Sequence, residues 1–402
     1  MKERLEDLSK VVQPTSARLA LTAQLFAVAT NIHATEDLRQ KAMMPFLEGL
    51  LGKLEQQLPA RDKHNKIVAK GDFVRVLTHP DGTSRYAIEG ELKNGFLGNA
   101  PMQASVAYAW RIAQPAYDDV RKTTCCPAVI LSFIGPYFHV SGVALVDIMI
   151  VQSFTDLIYL GGDPFAESQV LRVTKIFDVV AAAIKDLKTY YTDIAPSAIP
   201  DSSRLMPKPV PDNNLLILEE RFLYQGGRPD SRRSLFRGTY DGAPVLVKFC
   251  ERYNRTAHTL LAEHDPPLAP KLHLVSEVQG GLKMVVMDFI ERQDAHYQFE
   301  DQYLPPGVRA DVSLAITVLR DAGLVFGDLR RPNILVVPRK HEGEGGDFGA
   351  MLVDFDWAGK AGEDRYPLLI NVSGDIQWAN GVGPGEIMEF KHDVDMFDRL
   401  DS

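Results

Sequence analysis

Prolines 196, 200, 207, 209 and 211, mixed with serine and aspartate, interrupt the chain near its midpoint. Proline has no N–H to give to a helix or a sheet ladder, and it also restricts the residue before it. The stretch from Ala195 to Asp212 is therefore excluded from the interior of a domain and reads as an extended linker. At roughly 100–200 residues per domain, a chain of 402 residues has room for a domain on each side. The expected organisation is a helical N-terminal segment over 1–34, a first domain over 35–194, a Pro-rich linker over 195–214 and a second domain over 215–402.

Composition narrows the class of each half. The chain is 45% hydrophobic and 24% charged, which excludes a wholly disordered or collagen-like polymer. Its formal net charge is -9, from 44 Lys+Arg against 53 Asp+Glu. Gripping DNA by bulk positive charge is thereby excluded, because such binding comes from cations on phosphates; a local basic groove is not. Cys125, Cys126 and Cys250 are too few for a disulfide framework and lack zinc spacing. We read them as reduced and buried, which fits a cytoplasmic or nuclear compartment. MKERLEDLSK lacks the apolar core of a secretory signal. The nearly uncharged run from Cys125 to Val151 is broken by Pro127, Gly135-Pro136 and Asp147, and so reads as buried strands rather than a membrane span.

In the first half, Ala17–Ala29 and a segment running from the Thr35 cap through Leu58 read as helices. Phe73–Leu77 and Tyr86–Leu92 read as a strand pair around a Pro-Asp-Gly turn. A helix over Met102–Ile112, apolar strands over 128–151 and a helix over Leu171–Tyr191 complete an α/β pattern. In the second half, Lys340–Gly349 reads as a surface loop between strands.

The strongest chemical signal is LVFGDLRRPNILVV over 324–337, followed by MLVDFDW over 351–357. Asp328 and Asn333 share a tight loop that leads into an apolar strand, and Asp354 ends a second one. Phosphoryl transfer asks for a carboxylate at the attacking hydroxyl and for hard oxygen ligands to Mg2+ on the phosphates. Asp328 suits the first role; Asn333 and Asp354 suit the second.

These segments resemble the protein-kinase superfamily over roughly 215–402. DLRRPNIL is similar to the kinase catalytic loop and VDFD to the D-F-G motif. The resemblance implies a two-lobed α+β fold that binds ATP and Mg2+. Lys248 in VLVKF would be the lysine on the ATP phosphates, and Met287 in VVMDF would lie in the hinge strand beside adenine. Arg330 would stand where the family has lysine and reach a phosphate. Glu263 is the nearby glutamate to pair with Lys248, with His258 as its rival.

There are departures from the pattern. Phe326-Gly327 replaces His-Arg, and Asp356 replaces the glycine of D-F-G, as in small-molecule kinases of the choline and aminoglycoside type. Gly226-Gly227 and Gly238-Thr239-Tyr240 do not make a full glycine-rich loop. Arg232, Arg233 and Arg237 either touch phosphates or form a solvated face. His392-Asp393 resembles the Asp-bearing central helix of the C-lobe, which makes that lobe a shortened one.

In the first half, Asp72 opens one strand, and Glu91 and Lys93 end its neighbour. Residues two apart on a strand share a face, and Glu89 shares it too. Two carboxylates and a lysine there can hold Mg2+, or Mn2+, and orient water at a phosphodiester. The set resembles the restriction-endonuclease-like superfamily, with pattern D…[DE]-x-K. That resemblance implies a metal-dependent nuclease acting on DNA, with Asp72 and Glu91 as metal ligands and Lys93 as a catalytic residue. Glu36 or Asp37 would be the acidic residue of the preceding helix, and Gln103 and Tyr108 would lie near the site. The plain alternative is a solvated edge strand.

Together the two halves are similar to fungal Crinkler-type proteins that join such a nuclease-like domain to a kinase-like one, although the Crinkler translocation header is not visible. The expectation is a bifunctional, effector-like enzyme whose partners are ATP, DNA and a possible protein substrate, with no membrane. The alternatives are a small-molecule phosphotransferase, an interaction module with both sites degenerate, and a nuclease with a nucleotide-sensing second half.

Overall fold

The computed structural model describes residues 1–61, 64, 66–80, 82–95, 99–146, 149–161, 166–194, 215–222, 234–278, 281–300, 302–339, 348–374 and 376–401. The expected linker, Gly226-Gly227, Arg232 and Arg233, and all but the end of the expected Lys340–Gly349 loop lie outside them; Phe348 and Gly349 already belong to a strand. The fold is mixed α/β, in two compact units over Met1–Leu205 and Met206–Ser402.

The first unit runs α1 (Lys2–Glu6), α2 (Ser16–Ala29), α3 (Glu36–Leu51), β1 (Glu55–Gln56), β2 (Pro59–Arg61), β3 (Ile67–Lys70), β4 (Phe73–Thr78), β5 (Ser84–Lys93), α4 (Ala100–Ile112), α5 (Asp118–Thr123), β6 (Ala128–Ile134), β7 (Tyr137–Leu145), β8 (Met149–Ser153), β9 (Ile158–Tyr159) and α6 (Ala166–Asp193). Side-chain caps start α2, α3 and α4. Thr15, Thr35 and Asn99 accept from the N–H groups of Arg18, Leu38 and Met102. The expected helix through Leu58 ends earlier, at Leu51, because Gly52 takes φ 80. Pro45 does not break α3: Met43, Met44, Leu47, Leu50 and Leu51 bury its apolar face and outweigh one missing hydrogen bond.

The main sheet has the order β1-β4-β5-β6-β7-β8, with β9 against β7. The β5–β6 pair is parallel and is joined through α4, as a parallel pair needs a crossover. One face packs on α6, where Phe133, Phe138 and Phe177 stack at 4.9 and 5.0 Å. Strand alternation puts Glu89, Glu91 and Lys93 on the other face. The N-terminal segment is part of the same core, through Leu25, Phe26 and Ala29.

The second unit starts with β10 (Leu216–Arg221), β11 (Ser234–Tyr240), β12 (Ala243–Cys250), α7 (Arg255–Ala262), β13 (Leu272–Val278) and β14 (Leu282–Asp288). The strands form an antiparallel sheet in the order β10-β11-β12-β14-β13. Then come α8 (Ala295–Phe299), α9 (Pro306–Asp321), β15 (Leu324–Val325), β16 (Ile334–Pro338), β17 (Phe348–Leu352), β18 (Gly359–Lys360) and α10 (Phe390–Asp398). β16 pairs with β17 and β15 with β18. These short ladders hold the Phe326–Asn333 loop and the Val353–Ala358 segment over a helical core built on Val308, Val312, Ala315 and Leu319. Among the described residues, no helix is long and apolar enough to cross a membrane.

Candidate functional site

In the second unit, the loop after β15 is fixed from below. Asp393 on α10 accepts the N–H groups of Phe326 at 2.6 Å and Gly327 at 2.9 Å. Gly327 has φ 83, a left-handed conformation in which any side chain is strained, and a Cβ there would also displace the end of the Met388 side chain. This anchor aims Asp328, which is buried. Asn333 Nδ2 donates to the Asp328 carboxylate at 2.9 Å and to its carbonyl at 2.8 Å. Arg330 forks onto the same carboxylate at 2.5 and 2.8 Å and lies 5.4 Å from the centre of the Trp378 ring. Burial pushes the Asp328 pKa up, and Arg330 and Asn333 oppose it.

Across from the loop, Lys248 on β12 lies 2.6 Å from Asp354 and 2.7 Å from Asp356. Burial works against the lysine's charge, and the two aspartates more than offset it. Asp356 is pushed up to about 7 by burial and by Asp354. Asp354 sits at φ 73, a conformation that non-glycine residues adopt mainly where the surroundings impose it. Lys248, Met287, Asn333, Asp354 and Asp356 line one cavity of about 630 Å³, within the range of small-molecule sites.

Two expectations are corrected here. Glu263 is exposed at the C-cap of α7 and is not the partner of Lys248, because the helix ends there before the Pro266-Pro267 turn. His258 is not the partner either. It is buried, donates from Nε2 to Pro270 O (2.8 Å), accepts at Nδ1 from the Tyr253 hydroxyl (2.6 Å), and stacks on Phe355. Arg237 pairs with Glu220 at 3.2 Å and covers the Phe289 ring.

In the first unit, Asp72, Glu91, Lys93 and Glu36 converge. Lys93 Nζ is 2.9 Å from Glu91 and 3.3 Å from Glu36. Asp72 accepts the Leu92 N–H at 2.7 Å, which ties β4 to β5 at this point. Gln40 of α3 holds the Asp72 carbonyl at 2.6 Å. Burial and the Asp72 charge push Glu91 up to about 7. Burial raises Asp72 as well, with the Leu92 N–H and Lys93 opposing. Glu89 is not part of this set: Arg111 of α4 holds it through two bonds of 2.8 Å, and both side chains are buried. Gln103 and Tyr108 are also elsewhere. Gln103 is exposed, and Tyr108 is buried with its hydroxyl on the Cys126 carbonyl at 2.7 Å.

Among the described residues, no three His, Cys, Asp or Glu side chains form a metal cage. The donor sets fit Mg2+ in a different way. Asn333 with Asp354, and Asp72 with Glu91, each offer hard oxygens in pairs, and Mg2+ takes its remaining ligands from water and phosphate. In both pairs at least one carboxylate is held close to another negative charge, which a cation would relieve.

Arg111, Asp356 and Trp378 were not singled out for these contacts in the sequence. Only Asp356 left a signal there, its two-residue spacing from Asp354.

No family model matches the chain, and no curated protein matches it. Among solved structures it is similar to the kinase PK-1 of Cydia pomonella granulovirus, at 16% identity and a TM-score of 0.28. The similarity covers 37% of this chain and 53% of that one, so the chain spans about half the length of that structure.

Proposed function

We propose that the second unit is a two-lobed, protein-kinase-like phosphotransferase that uses ATP and Mg2+ to phosphorylate a hydroxyl. The observation that carries this reading is the cavity whose wall holds Lys248, Met287, Asn333 and Asp354, with Asp328 hydrogen-bonded to Asn333. The sheet order and the helix between its third and fourth strands in the chain agree with it. ATP would enter with adenine beside Met287 and its phosphates toward Lys248. Asp328 accepts the proton of the attacking hydroxyl, and Asn333 holds its carboxylate in place. Arg330 leaves Asp328 for the transferred phosphoryl group, to which its fork is suited. Asn333 and Asp354 would hold Mg2+, which would supply charge neutralisation on the phosphates. Asp328→Asn should lower ATP consumption with the acceptor by about a hundredfold or more while ATP binding persists. Unchanged turnover would exclude this role. The acceptor screen should pair protein substrates with small alcohols and aminoglycosides, because Asp356 is the departure shared with small-molecule kinases.

A second reading concerns the first unit and rests on the convergence of Asp72, Glu91, Lys93 and Glu36. We infer a Mg2+-dependent nuclease site in which Lys93 orients water or phosphate and the carboxylates hold the metal. The pairing of these two modules is the basis for proposing kinship with Crinkler-type proteins.

A further inference from the structure

The kinase-like reading leaves Lys248 without the helix carboxylate that would hold it, and the second unit contains another carboxylate in contact with it. Lys248 Nζ bridges Asp354 and Asp356 at 2.6 and 2.7 Å, with the lysine side chain 14% exposed. Helix α7 contributes no charge to this contact. Its buried histidine, His258, faces the aromatic ring between the two aspartates: the imidazole and Phe355 rings stack at 4.6 Å and 8°. The helix start is tied to the same segment. The Asn254 N–H donates to Phe355 O at 3.0 Å, and its side chain donates to Ala358 O at 3.1 Å. The aspartate segment thus presents alternate residues to two clients, with Asp354 and Asp356 toward Lys248 and Phe355 toward α7.

We propose that Asp356 is a positioning residue that takes over the helix carboxylate's task. It holds Lys248 from the same segment that carries Asp354, so the lysine is set without any ion pair to α7. The proposal rests on the phosphotransferase reading for its purpose, though not for its geometry. Helix α7 then serves as a packed prop under Phe355, and a change that loosens α7 reaches the lysine through that ring and the Asn254 bonds rather than through an ion pair. The glycine usual at position 356 would leave Lys248 with Asp354 alone, and Asp354 is also needed for the cation. A second carboxylate would keep the lysine anchored when Asp354 serves as a cation ligand.

The test uses the full chain and two readouts. The first is equilibrium unfolding of Lys248→Met, Asp356→Asn and the double variant, beside Glu263→Gln with and without Lys248→Met. Expected is strong non-additivity between Lys248 and Asp356, and simple additivity for Glu263. Additivity of Lys248 with Asp356 would overturn the proposal, and it can be read whether or not ATP binds. The second readout is ATP binding in EDTA. Asp356→Asn should weaken it about tenfold in the Lys248 protein and leave it unchanged in the Lys248→Met protein. An equal loss in both backgrounds, or a loss seen only with Mg2+, would make Asp356 a metal ligand and also overturn the proposal. Wild-type protein that binds no ATP, with or without Mg2+, would remove the phosphotransferase reading and leave the unfolding cycle to decide the anchor.

Discussion

His258 shows how one side chain can be misjudged from sequence and still matter. Counting back from Pro270-Lys271-Leu272 makes it a rival ion-pair partner, but the fold uses it as an aromatic. Burial lowers its pKa to about 4, with the Pro270 carbonyl opposing, against an ordinary value near 6.5. The folded protein therefore keeps His258 neutral at pH values where the unfolded chain protonates it. The stability this confers is complete above pH 6.5 and is lost as pH falls toward 4, by about 3 kcal/mol in all. Asp356 and Asp393, raised to about 7 and about 6, titrate in the same window with the opposite sign, so the loss should show as the difference between wild type and His258→Met in urea denaturation from pH 7.5 to 4; a constant difference would exclude it. Asp328, Asn333, Asp354 and Lys248 were visible in the sequence because each sits in a local motif. Asp356 as a partner of Lys248 was not, because the contact joins residues 248 and 356 across the fold and only tertiary packing reveals it.

At the scale of elements, strand patterns were legible where alternation or apolar runs persisted, as in β4 to β7. Helix ends were less so. The apolar face of α3 runs on in sequence past Leu51, and the stop lies in a backbone angle at Gly52 that hydropathy does not register. The Phe326–Asn333 loop is a further case. Its motif was plain, while its support comes from α10, in the Asp393 side chain that takes two N–H groups. Burial pushes the Asp393 pKa up to about 6 despite those bonds. Asp393→Ala should leave two buried donors unpaired, at about 1–3 kcal/mol each, partly offset by removal of the buried charge. The expected outcome is a drop of several degrees in the melting temperature of the second unit and at least tenfold slower phosphoryl transfer. Full activity in this variant would mean that the loop holds its shape unaided.

For the whole molecule, each unit has its own buried core. One is built around Phe73, Phe133 and Phe177, the other around Val308, Phe326 and Phe355. The two candidate chemistries should therefore separate by mutation in the full chain. Glu91→Gln and Lys93→Ala should each abolish Mg2+-dependent DNA cleavage and leave ATP consumption intact. Asp328→Asn should do the reverse, and EDTA should stop both. Cleavage that persists in Glu91→Gln would return β5 to a merely structural strand. The contacts of the second site also have an order in time. Asp393 holds the Phe326–Gly327 turn, while Asp401 accepts from the Leu304 N–H and from Arg331, next to Arg330, and also pairs with Arg309. Each of these acceptors is synthesised well after the groups it receives. A ribosome that has made Asp328 and Asp354 has thus made a loop that its own ladder and side chains hold but that still lacks the support of Asp393, and the Phe326–Gly327 turn is tied down only once that residue emerges.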